Sequence, residues 1–561
     1  MAGFIDVVLR GLILVLTSVT LGGVAWLRFV LRAEPHVEPD APTALALRAV
    51  AAAGAGAAGA QAAVLLVGLG AVADAHGTWP LAAFFETTFA LTATARVILA
   101  LGVAALAWTM TGRAASGTAW SALAVAATLL VASSAVVSHA VARVEWRVPL
   151  VALDAAHQVA AALWIGGLAH LTLFAVRTRA ARPARSVGAG ALFVAGAASP
   201  GKDVGGLFEV VGGSASPDLT WREPAIVVRR FSTLAFRSMA ALIVAGLALT
   251  WMYVGDVAAF VGTAYGVMVL SKVALLVPAL ALAYVNMRAV RRAAAAPRAR
   301  LFSFVEVELG LGITILFAAA SLTSLPPAVD VTSDRATVAE VATRFTPAAP
   351  RLTSPPIDEL LRAADPLMGR QVERKPVERA WSEYNHHWAG LFVVTMGVLT
   401  LLHFAGVRAA RHWPLVFLGL ATFLFVRNDP RAWPLGPAGF WESLTLPDVL
   451  QHRTFVLLVV AFAVFQWLVS TGRLAERPWG YVFPLLCAVG GGLLLTHSHA
   501  MFNLKQEFLA EVTHAPLGIL GAFAGWGRWL EVRLPAGGRA PGWIWRGCFT
   551  AVGLILLFYR E

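Results

Sequence analysis

The chain has 561 residues, of which 58% are hydrophobic and 14% are charged, whereas a soluble globular protein carries about 25% charged residues. This composition excludes an ordinary soluble enzyme. The apolar residues form long continuous runs rather than the short alternating segments of a β-barrel. The formal net charge of +12 does not indicate nucleic-acid binding, because the basic residues are nearly all arginines at the ends of apolar runs. The sequence therefore predicts an all-α, polytopic transmembrane helical bundle.

Hydropathy predicts fourteen membrane spans, each of about 20 residues or more except for one short run. The first eight lie near 6–31, 44–73, 84–111, 117–139, 149–177, 230–253, 266–288 and 302–325. Six more lie near 386–407, 413–427, 449–470, 480–497, 512–531 and 542–559. The run 413–427 is the shortest of the fourteen. We interpret the first run as a span and not as a removed signal peptide.

Two polar stretches interrupt the spans. Residues 178–229 are rich in arginine and predict a cytoplasmic insert, and residues 328–385 are rich in proline and predict a periplasmic linker. The chain thus divides into an eight-span membrane domain (1–327) and a six-span, histidine-rich membrane domain (386–561). The arginine-rich loop 288–301 belongs in the cytoplasm, and counting spans from it predicts that both termini are periplasmic.

Histidines are the main candidates for chemistry, because polar groups in or beside hydrocarbon are costly unless they are paired or bind a ligand. Nine of the thirteen histidines are predicted on or near the outer face. These nine are His76, His139, His157, His386, His387, His452, His497, His499 and His514. His170 and His403 are predicted in the inner third of their spans.

The densest cluster is the run His497-Ser498-His499-Ala500-Met501. It offers two imidazoles and a thioether within a single turn or bend. Imidazole suits copper and zinc, and a thioether favours Cu(I). The run therefore predicts a metal site where the twelfth span ends at the outer face.

Carboxylates accompany the histidines of the second half. Glu507, Glu511 and His514 share one face of the next helix, and Asp448 lies one turn before His452. A carboxylate beside a histidine fixes the tautomer of the ring and strengthens it as a ligand. We therefore expect Asp448, Glu507 and Glu511 to support metal-binding histidines.

The fifth span carries a polar face of its own. Asp154, His157 and Trp164 share one side of a helix, and the pair Gly166-Gly167 allows a close helix approach. Lys272, in the outer third of the seventh span, is expected either to extend to the interface or to pair with a carboxylate such as Asp154.

Several segments resemble a known family. They are the fifth span, Arg230-Phe231-Ser232, the run from Tyr265-Gly266 to Lys272, and the run from Glu306 to Pro326-Pro327. Together they resemble the copper resistance D family (CopD/PcoD), most strongly from 149 to 327. The second half, with the run from Trp381 to His387 and the HSHAMFN run, is similar to the extension of long-form members.

The resemblance implies an inner-membrane protein linked to copper uptake, often working with a small periplasmic copper-binding protein of the CopC type. The chain departs from a methionine-rich copper transporter, since it has nine methionines and no MxxM cluster. The candidate copper ligands share an imidazole or a thioether. They are His157, His170, His386, His387, His403, His452, His497, His499, Met501 and His514.

Three functions fit these residues. The first is a transporter, not an enzyme, that moves a copper ion from the periplasm to the cytoplasm along a path lined by histidine and methionine. The second is a b-type haem cytochrome with bis-histidine ligation, for which His170 and His403 would form an inner pair. The third is a copper-dependent assembly or sensing subunit. No nucleotide-binding motif is present, so transport would be passive or coupled to a gradient.

Overall fold

The computed structural model describes residues 2–180, 224–291, 298–363, 375–427, 429–496, 505–534 and 539–561. Within these ranges the chain is helical and contains no β-strand, and fourteen of its helices are long and apolar enough to cross a membrane. The first eight are α1 (Phe4–Leu31), α2 (Ala41–His76), α3 (Thr88–Thr109), α4 (Gly117–Val137), α5 (Arg147–Arg177), α6 (Ile226–Val254), α7 (Ala264–Arg288) and α8 (Leu301–Leu322). The last six are α9 (Pro376–Phe404), α10 (Arg408–Arg427), α11 (Val449–Ser470), α12 (Glu476–Thr496), α13 (Lys505–Arg533) and α14 (Arg539–Leu557).

The predicted fold class is confirmed, as is the short span that the sequence predicts at 413–427. That span lies in α10, which begins as a 3₁₀ helix over Arg408–Leu415 and continues as an α-helix over Val416–Arg427. The helix α13 is also interrupted, because it consists of Lys505–Glu511 and His514–Arg533. The protein is therefore a multi-pass helical membrane protein.

The connection between α8 and α9 folds over one end of the bundle, and we call residues 323–363 the outer cap. It contains two short helices, Val338–Arg344 and Ile357–Ala363. The Ala336 N–H donates to the Gly262 carbonyl at 3.0 Å, and the Ala348 N–H donates to the Phe558 carbonyl at 3.1 Å. The outer cap therefore contacts both halves of the chain.

An ion pair adds to the attachment of the outer cap. Lys505 Nζ lies 2.7 Å from Glu340 Oε1, and the hydrogen bond from Lys505 lowers the pKa of Glu340 to about 2. A carboxyl whose pKa is lowered on folding contributes stability above its unfolded pKa of about 4.3. That contribution is lost as the pH falls toward 2, so the ion pair is intact at neutral pH.

The connections between spans contact one another at the two opposite ends of the bundle. At the capped end, Arg143 pairs with Asp330 at 2.9 Å and Arg335 pairs with Asp256 at 2.5 Å. At the other end, the His36 N–H donates to the Ala115 carbonyl at 2.8 Å. These contacts agree with a chain that crosses the membrane fourteen times and has both of its termini at the capped end. We call the capped side the outer end.

Glycines allow the central crossing of α1 and α5. A Cβ atom built on Gly166 would lie 1.9 Å from the Ser18 carbonyl oxygen, and one on Gly22 would lie 2.4 Å from the Gly166 backbone. These backbones approach so closely that no side chain fits between them. The close approach predicted for Gly166-Gly167 is therefore present, and it brings α5 into the core of the eight-span half.

The helix α8 lies between the two halves. It packs on α1, α5 and α7 of the eight-span half and on α12 and α13 of the six-span half. Glu306 accepts hydrogen bonds from Arg533 and from Trp529 Nε1, the latter at 3.0 Å. A Cβ atom on Gly310 would lie 2.1 Å from the Trp526 ring, so α8 and α13 are in close contact.

We expect Gly166→Ala to lower the thermal unfolding temperature in detergent by several degrees, because overpacking of this kind costs about 1–3 kcal/mol. Gly102→Ala in α3 is the matched control, since nothing lies within 4 Å of a Cβ atom there. Equal unfolding temperatures for the two variants would contradict the close crossing of α1 and α5.

Candidate functional site

Two of the predicted histidines meet at the outer end of the six-span half. The rings of His386 on α9 and His514 on α13 have their centroids 6.2 Å apart, and the His386 ring stacks on Tyr559 at 4.1 Å. Two imidazoles that share a metal, each with a metal–nitrogen bond of about 2.0 Å, have their ring centres at roughly this separation. We call His386, His514 and Tyr559 the outer site.

The tautomer of His386 follows from its hydrogen bond. Its Nδ1 lies 2.8 Å from the Ser382 carbonyl oxygen, which can only accept, so Nδ1 carries the proton and Nε2 carries the lone pair. Within the described residues, no group of three or more His, Cys, Asp or Glu side chains is placed to hold a metal ion. The outer site therefore supplies two imidazoles and needs ligands from elsewhere to complete a metal site.

The predicted ligands His497, His499 and Met501 lie outside the described residues, which stop at Thr496 and resume at Lys505. The end of α12 is nevertheless close to the outer site. A Cβ atom on Gly518 would lie 2.8 Å from the Leu495 side chain, and Gly518 is one helical turn from His514. The chain thus leaves α12 beside His514.

His387 has a different environment from its neighbour. It is 0% exposed, its Nδ1 accepts the Arg351 N–H at 2.6 Å, and its Nε2 lies 2.7 Å from the Tyr559 carbonyl oxygen. Both ring nitrogens are therefore used, one as acceptor and one as donor. In this structure His387 joins the outer cap to the C-terminal segment and offers no lone pair to a metal.

His452 is bound by a carboxylate that the sequence did not indicate. Its Nδ1 lies 2.7 Å from Asp429 Oδ1, in the connection that follows α10. The predicted partner Asp448 begins the same helix as His452, and its side chain lies outside the described part of the structure. A histidine that donates to a carboxylate through Nδ1 presents Nε2 as its ligating nitrogen.

Glu507 and Glu511 lie on the short helix that precedes His514, and both are partly buried. Phe508 and Leu509 of this helix pack with Val341 of the outer cap. Glu507 Oε2 is buried and makes no hydrogen bond within the described residues. A buried acceptor beside the undescribed segment 497–504 is consistent with the supporting role predicted for it.

The polar face of α5 has several partners. His157 Nδ1 lies 3.2 Å from the Leu242 carbonyl oxygen on α6, and both Asp154 and Lys272 act on His157 electrostatically. Asp154 also interacts electrostatically with Lys272. Trp164 Nε1 donates to Glu308 Oε1 on α8 at 3.1 Å.

His170 is buried deep in the eight-span half, where it is 2% exposed. Its Nδ1 donates to the Gly166 carbonyl at 2.9 Å, so Nε2 carries the lone pair. Nε2 makes no hydrogen bond within the described residues, and the Ala46 backbone is a polar neighbour without hydrogen-bonding geometry. A Cβ atom on Gly23 would lie 2.6 Å from this nitrogen. The lack of a side chain on Gly23 therefore makes room for the His170 ring.

His403 lies elsewhere, in a cavity of about 390 Å³ at the inner end of the six-span half. Gln466, Arg528 and Arg546 also line this cavity. Arg528 is paired with Glu476 and Glu531, and Arg546 is paired with Glu531, so carboxylates compensate both guanidinium groups. The inner pair predicted from His170 and His403 is not brought together, because His170 packs against α1 and Trp26 while His403 faces the cavity.

The sequence did not indicate several residues that position these side chains. Tyr559, Arg351, Asp429 and Glu308 all contact predicted residues. Tyr559 and Arg351 bind His387 through backbone groups, which carry no sequence signal. Asp429 precedes a proline in a connection. Glu308 could have been identified from the sequence, because a carboxyl within an apolar run is itself a signal.

These features define a multi-pass helical membrane protein with imidazoles at the outer end of its bundle and one imidazole in its core. Residues 225–322, which include α6, α7 and α8, match the family described as copper resistance protein D (CopD). The resemblance to that family is thereby confirmed over this part of the chain, and it links the protein to copper resistance and transport. No curated protein and no solved structure matches the chain.

Adjacent histidines provide a matched pair of variants. We expect His387→Ala to lower the unfolding temperature, because it leaves the Arg351 N–H and the Tyr559 carbonyl unpaired at about 1–3 kcal/mol each, without changing copper affinity. We expect His386→Ala to weaken copper binding at least tenfold while it changes stability less. Calorimetry of unfolding and copper titration measure both effects, and the opposite assignment of the two effects would refute this division of roles.

Proposed function

We propose that this protein carries copper across the bacterial inner membrane, from the periplasm to the cytoplasm, and is a transporter rather than an enzyme. The observation that carries the proposal is the approach of His386 to His514 at the outer end, in a chain whose residues 225–322 match the copper resistance protein D family. In this orientation the outer end and both termini face the periplasm. The arginine-rich connections face the cytoplasm, as the distribution of positive charge favours.

Copper would first bind at the outer site. His386 and His514 supply two imidazoles, and His497, His499 and Met501 supply imidazole and thioether groups from the segment that follows α12. A mixed set of imidazole and thioether ligands favours Cu(I) over the harder divalent ions. A small periplasmic copper-binding protein of the CopC type is the donor that we expect to deliver the ion to this end.

An inner ligand is also needed, because an unligated cation in hydrocarbon is prohibitively costly. His170 supports this role, since its Nε2 is buried without a hydrogen bond within the described residues. The space over Gly23 leaves room for its ring. His403, in the cavity at the inner end of the six-span half, is the second inner candidate.

We expect the double variant His497→Ala/His499→Ala to abolish high-affinity copper binding. In the wild type, affinity should fall as the pH drops through about 6.5, because imidazole must be neutral to bind a metal. His412→Ala is the control, since His412 lies at the inner end and accepts a hydrogen bond from Trp467 at 2.8 Å. Wild-type affinity in the double variant would exclude these two residues from the outer site.

We expect His170→Leu combined with His403→Leu to preserve copper binding at the outer site while reducing copper accumulation in cells. The single variants show how the effect divides between the two residues. Accumulation is measured by elemental analysis of washed cells. Wild-type accumulation in the double variant would show that copper does not pass these residues.

A further inference from the structure

Glu308 is an acidic residue inside a membrane span whose partners do not balance its charge. Its side chain is 4% exposed, and Trp164 Nε1, a neutral donor, lies 3.1 Å from its Oε1. Within the described residues, no Lys, Arg or His nitrogen lies within 4 Å of this carboxyl. Glu306, two residues earlier on the same helix, is bound by Arg533 and Trp529.

An ionised carboxylate in an apolar interior requires a cation or several strong donors. Glu306 meets that requirement, because a guanidinium and an indole N–H both bind it. Glu308 does not, because a single indole N–H compensates only a small part of the cost of burying a charge. In this conformation the Glu308 carboxyl therefore holds a proton and is neutral.

The charged and titratable groups on the helices that pack against α8 do not act on Glu308. They are Asp6, Arg10 and Arg28 on α1, Arg147, Asp154, His157, His170 and Arg177 on α5, Tyr265, Lys272, Tyr284 and Arg288 on α7, Glu476, Arg477, Tyr481 and Cys487 on α12, and Lys505, Glu507, Glu511, His514, Arg528, Glu531 and Arg533 on α13. The protonation of Glu308 is thus set by its apolar surroundings and by the Trp164 hydrogen bond.

Its position links Glu308 to the packing between helices. Trp164 belongs to α5, which crosses α1 at Gly166, and Gly310, two residues after Glu308 on α8, contacts Trp526 of α13. A shift of α8 relative to α5 would alter the Trp164 hydrogen bond and the access of water to the carboxyl. Such a shift would therefore couple the binding or release of a proton at Glu308 to the arrangement of these helices.

We propose that Glu308 is a proton-binding site within the membrane and that it couples copper movement to the transmembrane proton gradient. The coupling rests on the proposed transport function, whereas the proton site itself does not. The ligand is a single proton on a Glu308 carboxyl oxygen, and one proton is bound and released in each transport cycle.

Infrared spectroscopy of the purified protein tests the proton site directly. We expect the wild type at neutral pH to show the C=O stretching band of a protonated carboxyl, and Glu308→Gln to lack it. Glu308→Gln keeps an oxygen acceptor for Trp164 and nearly the same volume. Glu306→Gln is the matched control on the same helix and should retain the band. A band of equal size in Glu308→Gln and in the wild type would overturn the proposal.

Copper uptake into proteoliposomes with an imposed pH gradient tests the coupling. We expect the gradient to change the initial rate severalfold in the wild type and in Glu306→Gln, but not in Glu308→Gln. The coupling would be overturned if the wild-type rate did not depend on the gradient, or if the Glu308→Gln rate did. If the wild type moves no copper under any gradient while the infrared band is assigned to Glu308, the transport function fails and the proton site stands.

Discussion

The carboxylate of Glu306 on α8 binds Arg533 and Trp529 of α13, and this contact joins the eight-span half to the six-span half. Within a bilayer, the backbone of each span is satisfied by its own helical hydrogen bonds. Association of the spans therefore depends on close packing and on the few polar side chains that find partners. Gly310 allows Trp526 to lie directly on α8 beside this contact, so ionic and steric complementarity coincide at one interface.

The outer end is organised around one C-terminal residue. Tyr559 stacks on His386, its carbonyl lies against His387, and its hydroxyl donates to the Ala510 carbonyl at 2.9 Å. These three contacts hold α9, the C-terminal segment and the start of α13 together. The two adjacent histidines consequently have different roles, since one ring faces His514 and the other has both nitrogens bound by backbone groups.

Predictions from the sequence were most accurate where one physical property dominates. The spans, including the short run in α10, follow from continuous apolar sequence, and the close crossing at Gly166-Gly167 follows from two adjacent residues without side chains. The partners of the polar residues were harder to predict. Asp429 binds His452 from the connection that follows α10, and the sequence did not indicate it because helical spacing identifies only neighbours on the same helix.

Composition and hydropathy by themselves determined that this protein is a polytopic helical membrane protein with histidines concentrated toward one end, because the free energy of transfer into lipid depends on each segment alone. Tertiary structure alone decided which histidines approach each other, which are occupied by backbone groups, and which carboxyl is left without a cation. His170 and His403 lie at similar depths in the sequence pattern but in different halves. Such outcomes depend on the packing of helices distant in sequence, which local hydropathy does not encode.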